Sequence, residues 1–452
     1  MGRHGPMPKA MTGISEPTPS PNANFTASDY ARRAAARLLF AVLEENQSLE
    51  EAMSADKGFA KLETRDRAFA RALVGATLRW LGAIDGVLAN FMEKPLAPGA
   101  REARTLLRLG AGQIIGLGTP GHAAVHATVA LAKSAPGGRP FAGLINAVLR
   151  KVATSGKALA DAMPAGERLP RQIWTRWRAT YGDATAVAIA QALSTPPPLD
   201  LTAKENPAEW AQKLGAVMLP NGSMRLDPAP ADVLALEGWA EGAFWVQDAA
   251  ASIPVKLLAP KASERVADLC AAPGGKSLQI AASGAKLVAI DASAERLDRL
   301  RENLARTGLP AEIITGDIER WTPPELFDAV LLDAPCTATG TVRRHPEVVW
   351  IRRPEDAGTM GNVQRRMLAA AAKLLRPGGR LVYAVCSLEP EEGPGVVASA
   401  AQHSLTPDPI RGDELPNLEH AITPEGFLRL LPSHWADKGG LDGFFVARFV
   451  KG

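Results

Sequence analysis

Cys336 and Cys386 stand fifty positions apart, each closing an apolar run. One run reads Leu331-Leu332-Asp333-Ala334-Pro335-Cys336, the other Leu381-Val382-Tyr383-Ala384-Val385-Cys386-Ser387. A third, Val266-Ala267-Asp268-Leu269, opens into Cys270-Ala271-Ala272-Pro273-Gly274-Gly275-Lys276. These read as a cofactor loop and a thiol pair at the strand ends of one parallel sheet. The chemistry a thiol pair suits is methyl transfer onto a pyrimidine ring. Carbon 5 of cytosine is a poor nucleophile. A thiolate adding at carbon 6 breaks the aromaticity and puts electron density on carbon 5, and a covalent intermediate splits one difficult step into easier ones. Removing the carbon 5 proton and expelling the thiol restores the ring.

The catalytic candidates are therefore Cys386, Cys336, Asp333 and Lys276. Asp333 can hydrogen-bond the N3/N4 edge of cytosine, and Lys276 can assist electrostatically. The two thiols are chemically alike, so these residues alone do not order them. A lone cysteine is usually a small buried hydrophobe, and that reading fits Cys270, inside the turn.

The loop is neither G-x-G-x-x-G nor G-x-x-x-x-G-K-[ST], which disfavours a nucleoside triphosphate and favours a smaller nucleoside. Asp291, at the end of the next predicted strand, can accept both hydrogen bonds of a ribose diol, as in dinucleotide folds. Asp317, ending the third, can accept from an adenine amino group. Each Asp alone also suits a helix N-cap. The cofactor-binding candidates are Cys270, Ala271, Ala272, Pro273, Gly274, Gly275, Lys276, Asp291, Asp317 and Asp333, with S-adenosyl-L-methionine the natural ligand. No metal is expected.

Chemistry of this kind needs a scaffold, and 452 residues are too many for a single core. Residues 1–27 are rich in Pro, Ser and Gly and read as a disordered tail. Helical spacing predicts an all-α domain over 28–155, beginning near Ser28-Asp29, with Ala34, Leu38, Ala41 and Val42 on one face. Residues 156–245 read as a helical linker and small α+β connector, with a strand at 199–203 and a helix at 207–214. From 246 to 452, short apolar runs alternate with helices, which implies a parallel, doubly wound Rossmann-like α/β sheet. The predicted strands are 265–269, 286–290, 311–314, 329–332 and 380–385, with a last one near 443–449. The tight turn Arg376-Pro377-Gly378-Gly379 precedes the 380–385 strand.

Three cysteines make no disulfide framework, so reduced thiols in a cytoplasm are expected. No run of about 18 apolar residues marks a membrane span. Net charge is +3, but residues 31–155 hold 17 Lys and Arg against 10 Asp and Glu. A basic appendage suggests a polyanion partner, although an ordinary basic helical surface reads the same. Arg343, Arg344, Arg352 and Arg353 flank His345-Pro346 and Val349-Trp350-Ile351, and read as phosphate contacts or as a solvated loop. Trp350 suits base stacking or a core, and His345 an acid–base role or a structural hydrogen bond.

The segments Asp268–Lys276, Leu332–Gly340, Arg343–Pro346, Val382–Glu392 and Asp442-Gly443-Phe444-Phe445 carry a resemblance. In them the chain resembles the Nol1/Nop2/Sun RNA cytosine-5 methyltransferases, and the 28–155 domain looks like the NusB-like RNA-binding domain some members carry. Lys204-Glu205-Asn206 stands where the family often has Arg-Val-Asn. The resemblance implies Cys386 as nucleophile, Cys336 as the residue that assists proton removal or release, and S-adenosylmethionine as cofactor. It implies an enzyme that methylates carbon 5 of a cytosine in an unstacked segment of 16S ribosomal RNA; the sequence does not give the oligomeric state, and a monomer is expected. The same chemistry on transfer RNA, or a non-catalytic RNA-binding assembly factor, are the alternatives.

Overall fold

Alanine at helical spacing sets the first unit. In α1 (Ala27–Glu45), Ala31, Ala34, Ala35, Leu38, Leu39 and Val42 are buried, a stripe that recurs every three to four residues. Small side chains let neighbouring helices approach closely. With α2 (Thr64–Arg79), α3 (Leu81–Phe91), α4 (Arg101–Ile115), α5 (Gly121–Ser134) and α6 (Ala142–Lys151), it encloses one apolar core. This structure is a computed structural model describing residues 27–230 and 232–452. All of the expected tail but Ala27 therefore lies outside the described residues. Among them no single helix is long and apolar enough to cross a membrane.

The chain divides into two compact units. One comprises the described residues up to Arg171 together with His345–Ile351; the other comprises Gln172–Arg344 and Arg352–Gly452.

The second unit begins in α7 (Arg171–Tyr181) and α8 (Asp183–Ala192). Gly182, at φ +79, separates the two helices of the expected helical linker. A four-stranded antiparallel sheet follows, ordered β2-β3-β1-β4, from β1 (Leu199–Ala203), β2 (Val217–Met218), β3 (Met224–Leu226) and β4 (Phe244–Val246). The helix α9 (Pro207–Leu214) covers it, and Leu201, Ala211, Met224 and Phe244 form its small core.

The large sheet runs β10-β12-β9-β8-β5-β6-β7. Its strands are β5 (Arg265–Leu269), β6 (Lys286–Asp291), β7 (Glu312–Thr315), β8 (Phe327–Asp333), β9 (Leu375–Val385), β10 (Leu405–Pro407) and β12 (Phe444–Lys451), with β11 (Leu428–Leu430) paired to β12. Five strands, β5 to β9, are parallel. The expectation of a wholly parallel sheet needs correcting: β12 runs antiparallel to β9, and β10 antiparallel to β12. A two-stranded return at the C-terminal edge needs no crossover helix. The turn at Arg376–Gly379 lies inside β9 as a register shift against β8, and regular pairing resumes at Arg380.

The apolar runs seen in sequence are continuous because both faces of the sheet are covered. Ala329 and Leu331 pack into one core, Val330 and Leu332 into the other. The flanking helices are α10 (Ala249–Leu258), α11 (Gly275–Ala282), α12 (Ala294–Thr307) and α13 (Pro354–Lys373). Chain order reverses direction at β5, between β6 and β8. In open α/β sheets such a point leaves a crevice at the carboxyl ends of the strands.

Candidate active site

Four strands deliver the sequence-predicted residues to that edge. β5 leads into the 270–276 loop, β6 ends at Asp291, β8 ends at Asp333, and β9 ends one residue before Cys386. The loop after β8 brings Cys336 back, so the two sulfurs lie 3.4 Å apart. Backbone bonds hold this loop to its neighbour: Ala334 N donates to Ala384 O (3.0 Å) and Gly340 N to Cys386 O (3.0 Å). Gly340 has no room for a side chain; a Cβ would stand 2.0 Å from Gly443 O. Both sulfurs are half-buried rather than sealed in the core.

The thiols differ in environment. The hydrogen bond with Cys386, reinforced by burial, holds the Cys336 thiol well above its usual range. Cys336 therefore stays protonated beside Cys386. Lys276 Nζ donates to Asp333 Oδ2 at 2.7 Å. Burial alone would lower the Lys276 ammonium, but attraction to Asp333 and to the Cys386 sulfur outweighs it, and the net direction is upward. A fixed positive charge thus stands beside Cys386.

The cofactor candidates divide into two groups. Asp268 is buried, and Ser277 Oγ donates to its Oδ2 at 2.6 Å. Its Oδ1 is buried without a hydrogen-bond partner among the described residues. Burial pushes this carboxyl up to about 7, against the pull of Ser277. A lone buried acceptor is costly unless something fills it, and a ligand N–H or ammonium group would. Gly274, at φ +116, lets the loop turn where a Cβ would meet Leu300 Cδ1 at 2.6 Å. Residues 270–276 thus form a close cradle that opens α11, whose N-cap, Gly274, supplies no side-chain acceptor to its first N–H groups. S-adenosylmethionine fits this donor and acceptor set: Asp268 suits its ammonium, and the small residues admit its bulk.

Asp291 is less free than its sequence position suggests. It is buried, and its oxygens accept from Ala272 N (3.2 Å) and Ser293 N (2.9 Å), so it also shapes the loop. Asp317 is exposed and accepts from Glu319 N at 3.0 Å, in the manner of a local turn cap. Cys270 adopts φ +64 and packs partly into the core beneath the loop, its thiol raised chiefly by burial.

The arginine reading requires correction. Arg343 is buried, and Arg344 lies 2.6 Å from Asp248, 3.3 Å from Asp442 and 3.7 Å from Asp200. Arg225 binds Asp200 through two 2.6 Å bonds. These arginines neutralise buried carboxylates and leave no charge for phosphate. Arg352 Nε donates to Thr337 O, and Arg353 is exposed. Trp350 packs on the core of the helical unit and donates to Leu78 O at 3.1 Å, so it is a core residue, not a stacking platform. His345 lies 3.6 Å from Glu347. Sequence reasoning assigned no role to Glu392, although it lies within a matching segment; a single acidic residue after a strand carries no mark of burial.

The family model for 16S rRNA methyltransferase RsmB/F matches residues 255–450, and that of the NusB family matches 29–154. Ribosomal RNA small subunit methyltransferase B of Sodalis glossinidius is 36% identical over 92% of this chain and 96% of its own length. The protein of that name from Vibrio cholerae is 37% identical over 80% of this chain and 86% of its own. The crystal structure of a methyltransferase homolog from Pyrococcus horikoshii, 26% identical, superposes with a TM-score of 0.51 over 67% of this chain and 98% of its own. Sequence, two-part architecture and sheet topology agree, and the chain belongs to the 16S rRNA methyltransferase RsmB/F family, with a NusB domain at its N-terminus.

Proposed function

We propose that this protein methylates carbon 5 of a cytosine in 16S ribosomal RNA, through a covalent bond between Cys386 and carbon 6. Ribosomal RNA methylation dependent on S-adenosylmethionine is the activity its family carries. The finer reading rests on one observation above the others: two half-buried sulfurs 3.4 Å apart, at the carboxyl ends of adjacent parallel strands, beside a Lys276–Asp333 ion pair.

S-adenosylmethionine supplies, when bound, an electrophilic methyl group on a sulfonium. Asp268, Asp291 and the 270–276 loop are the residues that hold it; Asp317, at the rim, is the weakest member of the set.

The protein's own groups do the rest. Cys386 adds as thiolate to carbon 6 of a cytosine swung out of its stack. Lys276 offsets the negative charge of that thiolate. Asp333, with Oδ2 engaged by Lys276, presents its second oxygen to the N3/N4 edge of the ring. Cys336, protonated in the resting protein, gives its own proton to solvent and, as thiolate, then accepts the carbon 5 proton. As that proton leaves, the carbon 6–sulfur bond breaks, the ring recovers aromaticity, and Cys386 departs as thiolate.

Binding of the RNA strand falls partly to the helical unit. An open cleft on α5 and α6 is lined by His122, His126, Lys133, Asn146 and Arg150 and by no carboxylate, which suits a phosphate backbone. The direct test is mass spectrometry of 16S RNA methylated by the purified protein. A product carrying methyl on any atom other than cytosine carbon 5 would overturn the reading.

A further inference from the structure

The two thiols ride on separate loops, and one buried carboxylate ties those loops together. Glu392 is fully buried. Its Oε1 accepts from Thr337 N at 2.7 Å and from Gln364 Nε2 at 3.2 Å. Its Oε2 accepts from both Thr337 Oγ1 and Ser387 Oγ. Thr337 follows Cys336 in the chain, and Ser387 follows Cys386. The residue after each sulfur therefore donates to the same oxygen. The lock extends outward: Gln364, on α13, also donates to Pro335 O at 2.8 Å, and Tyr383 Oη donates to Glu392 O at 2.6 Å.

Burying a carboxylate is costly, and an apolar residue would pack this interior better. Four donors directed at one side chain offset that cost and impose an exact spacing on what they connect. Burial nonetheless raises the Glu392 carboxyl, against its Ser387 and Thr337 hydrogen bonds. Glu392 hydrogen-bonds to neither sulfur, so its hold on their placement passes through Thr337 and Ser387.

We propose that Glu392 is a positioning residue that sets the separation of the Cys336 and Cys386 sulfurs. The inference rests on the two-thiol reading above: the nucleophile must reach carbon 6 while its partner reaches carbon 5, adjacent atoms of one small ring. A displacement of about 1 Å at such a pair costs about a hundredfold in rate.

The test uses the full-length protein and the variants Glu392→Ala and Glu392→Gln. Glutamine keeps the shape and one acceptor oxygen; its amide can face the Thr337 and Ser387 hydroxyls, which turn to accept. Sulfur placement is read without RNA or cofactor, as the rate at which diamide closes a Cys336–Cys386 disulfide. The two thiols lose two protons and two electrons, and the azo compound is reduced to its hydrazine. The sulfurs start in near contact, so loosening the loops slows closure. Glu392→Ala is expected to slow it at least tenfold and to lower kcat by about a hundredfold with KM for RNA unchanged, and Glu392→Gln to recover part of both. A folded Glu392→Ala protein that closes the disulfide at the wild-type rate overturns the proposal. If alanine prevents folding, Ser387→Ala decides, since it removes one of the two hydroxyls on Oε2: disulfide closure at the wild-type rate overturns the proposal. Activity surviving in Cys386→Ala would instead sink the two-thiol chemistry, and the disulfide rate would stand apart from that result.

Discussion

Lys276 Nζ lies 2.7 Å from Asp333 Oδ2, joining the cofactor loop after β5 to the end of β8. The pair brings a fixed cation and a fixed carboxylate to the edge where Cys386 emerges. Lys276→Met keeps the length of the side chain and removes the charge. We expect kcat to fall by about 10²-fold with little change in RNA affinity, the size of a lost electrostatic contribution. A variant within threefold of wild type would show that the ammonium does not act in the chemical step.

The two cysteines make opposite predictions. Cys386→Ala should abolish turnover and leave cofactor binding intact. Cys336→Ala should form the bond to RNA but fail to release it, which a denaturing gel reads as a slowed protein band. A slowed band in Cys386→Ala, and none in Cys336→Ala, would exchange the two roles.

Asp268 gives cofactor binding a pH dependence. Its carboxyl is raised to about 7, so it is largely protonated below that value and ionised above it. A cationic ligand group binds the ionised form. Affinity for S-adenosylmethionine should therefore rise with pH up to about 7 and weaken about tenfold for each unit below. Calorimetry in buffers of different ionisation heat should show a proton released on binding at pH 6. Asp268→Asn should bind weakly, with a flat profile. A flat profile in the wild-type protein would detach Asp268 from the ligand.

Asp248 caps α10 through Ala250 N and holds Arg344 at 2.6 Å. Removing its charge leaves the half-buried Arg344 with two longer ion pairs, and Asp248→Asn should cost about 2 kcal/mol in urea unfolding, less than a fully buried pair. Burial would raise the Asp248 carboxyl, but Arg344 and Arg343 outweigh it and hold it below its ordinary value. A depressed folded value gives stability that is complete above the unfolded value of about 3.9 and lost as pH falls through the folded one. The gap between wild type and Asp248→Asn should accordingly close below pH 4. A gap that persists there would place the stabilisation elsewhere.

The basic cleft on the helical unit should show in the salt dependence of RNA binding. Replacing Lys133 and Arg150 together with Ala should weaken affinity for RNA of any sequence. It should also reduce the slope of log affinity against log salt by about 1 to 2. An unchanged slope would put the phosphate contacts elsewhere.

Much of this site was legible in the chain because strand ends are marked by residue type. An apolar run followed by Asp, Pro, Gly or Cys locates the carboxyl edge of a sheet, and Asp268, Asp291, Asp333 and Cys386 all lie there. The connector strand and helix at 199–203 and 207–214 were equally plain, since Asn206-Pro207 and Gly215 punctuate them. What escaped depended on partners distant in sequence. Arg344 reads as a phosphate ligand until Asp200, Asp248 and Asp442 are seen around it. Trp350 suits a stacking surface and a core position equally until its indole N–H is found on Leu78 O. The surroundings that distinguish the two thiols were hidden for the same reason: the Lys276 ammonium and the hydrogen bond between the sulfurs have no periodicity.

The close approach at Gly340 ties the Cys336 loop to the antiparallel edge of the sheet. Gly443 N donates to Gly340 O at 2.8 Å, and Phe445 pairs with Val385 just before Cys386. The strand β12 thus serves as a clasp: it holds β9 by its ladder and the loop after β8 by one backbone bond, so a change that loosens β12 disturbs both cysteine-bearing segments at once.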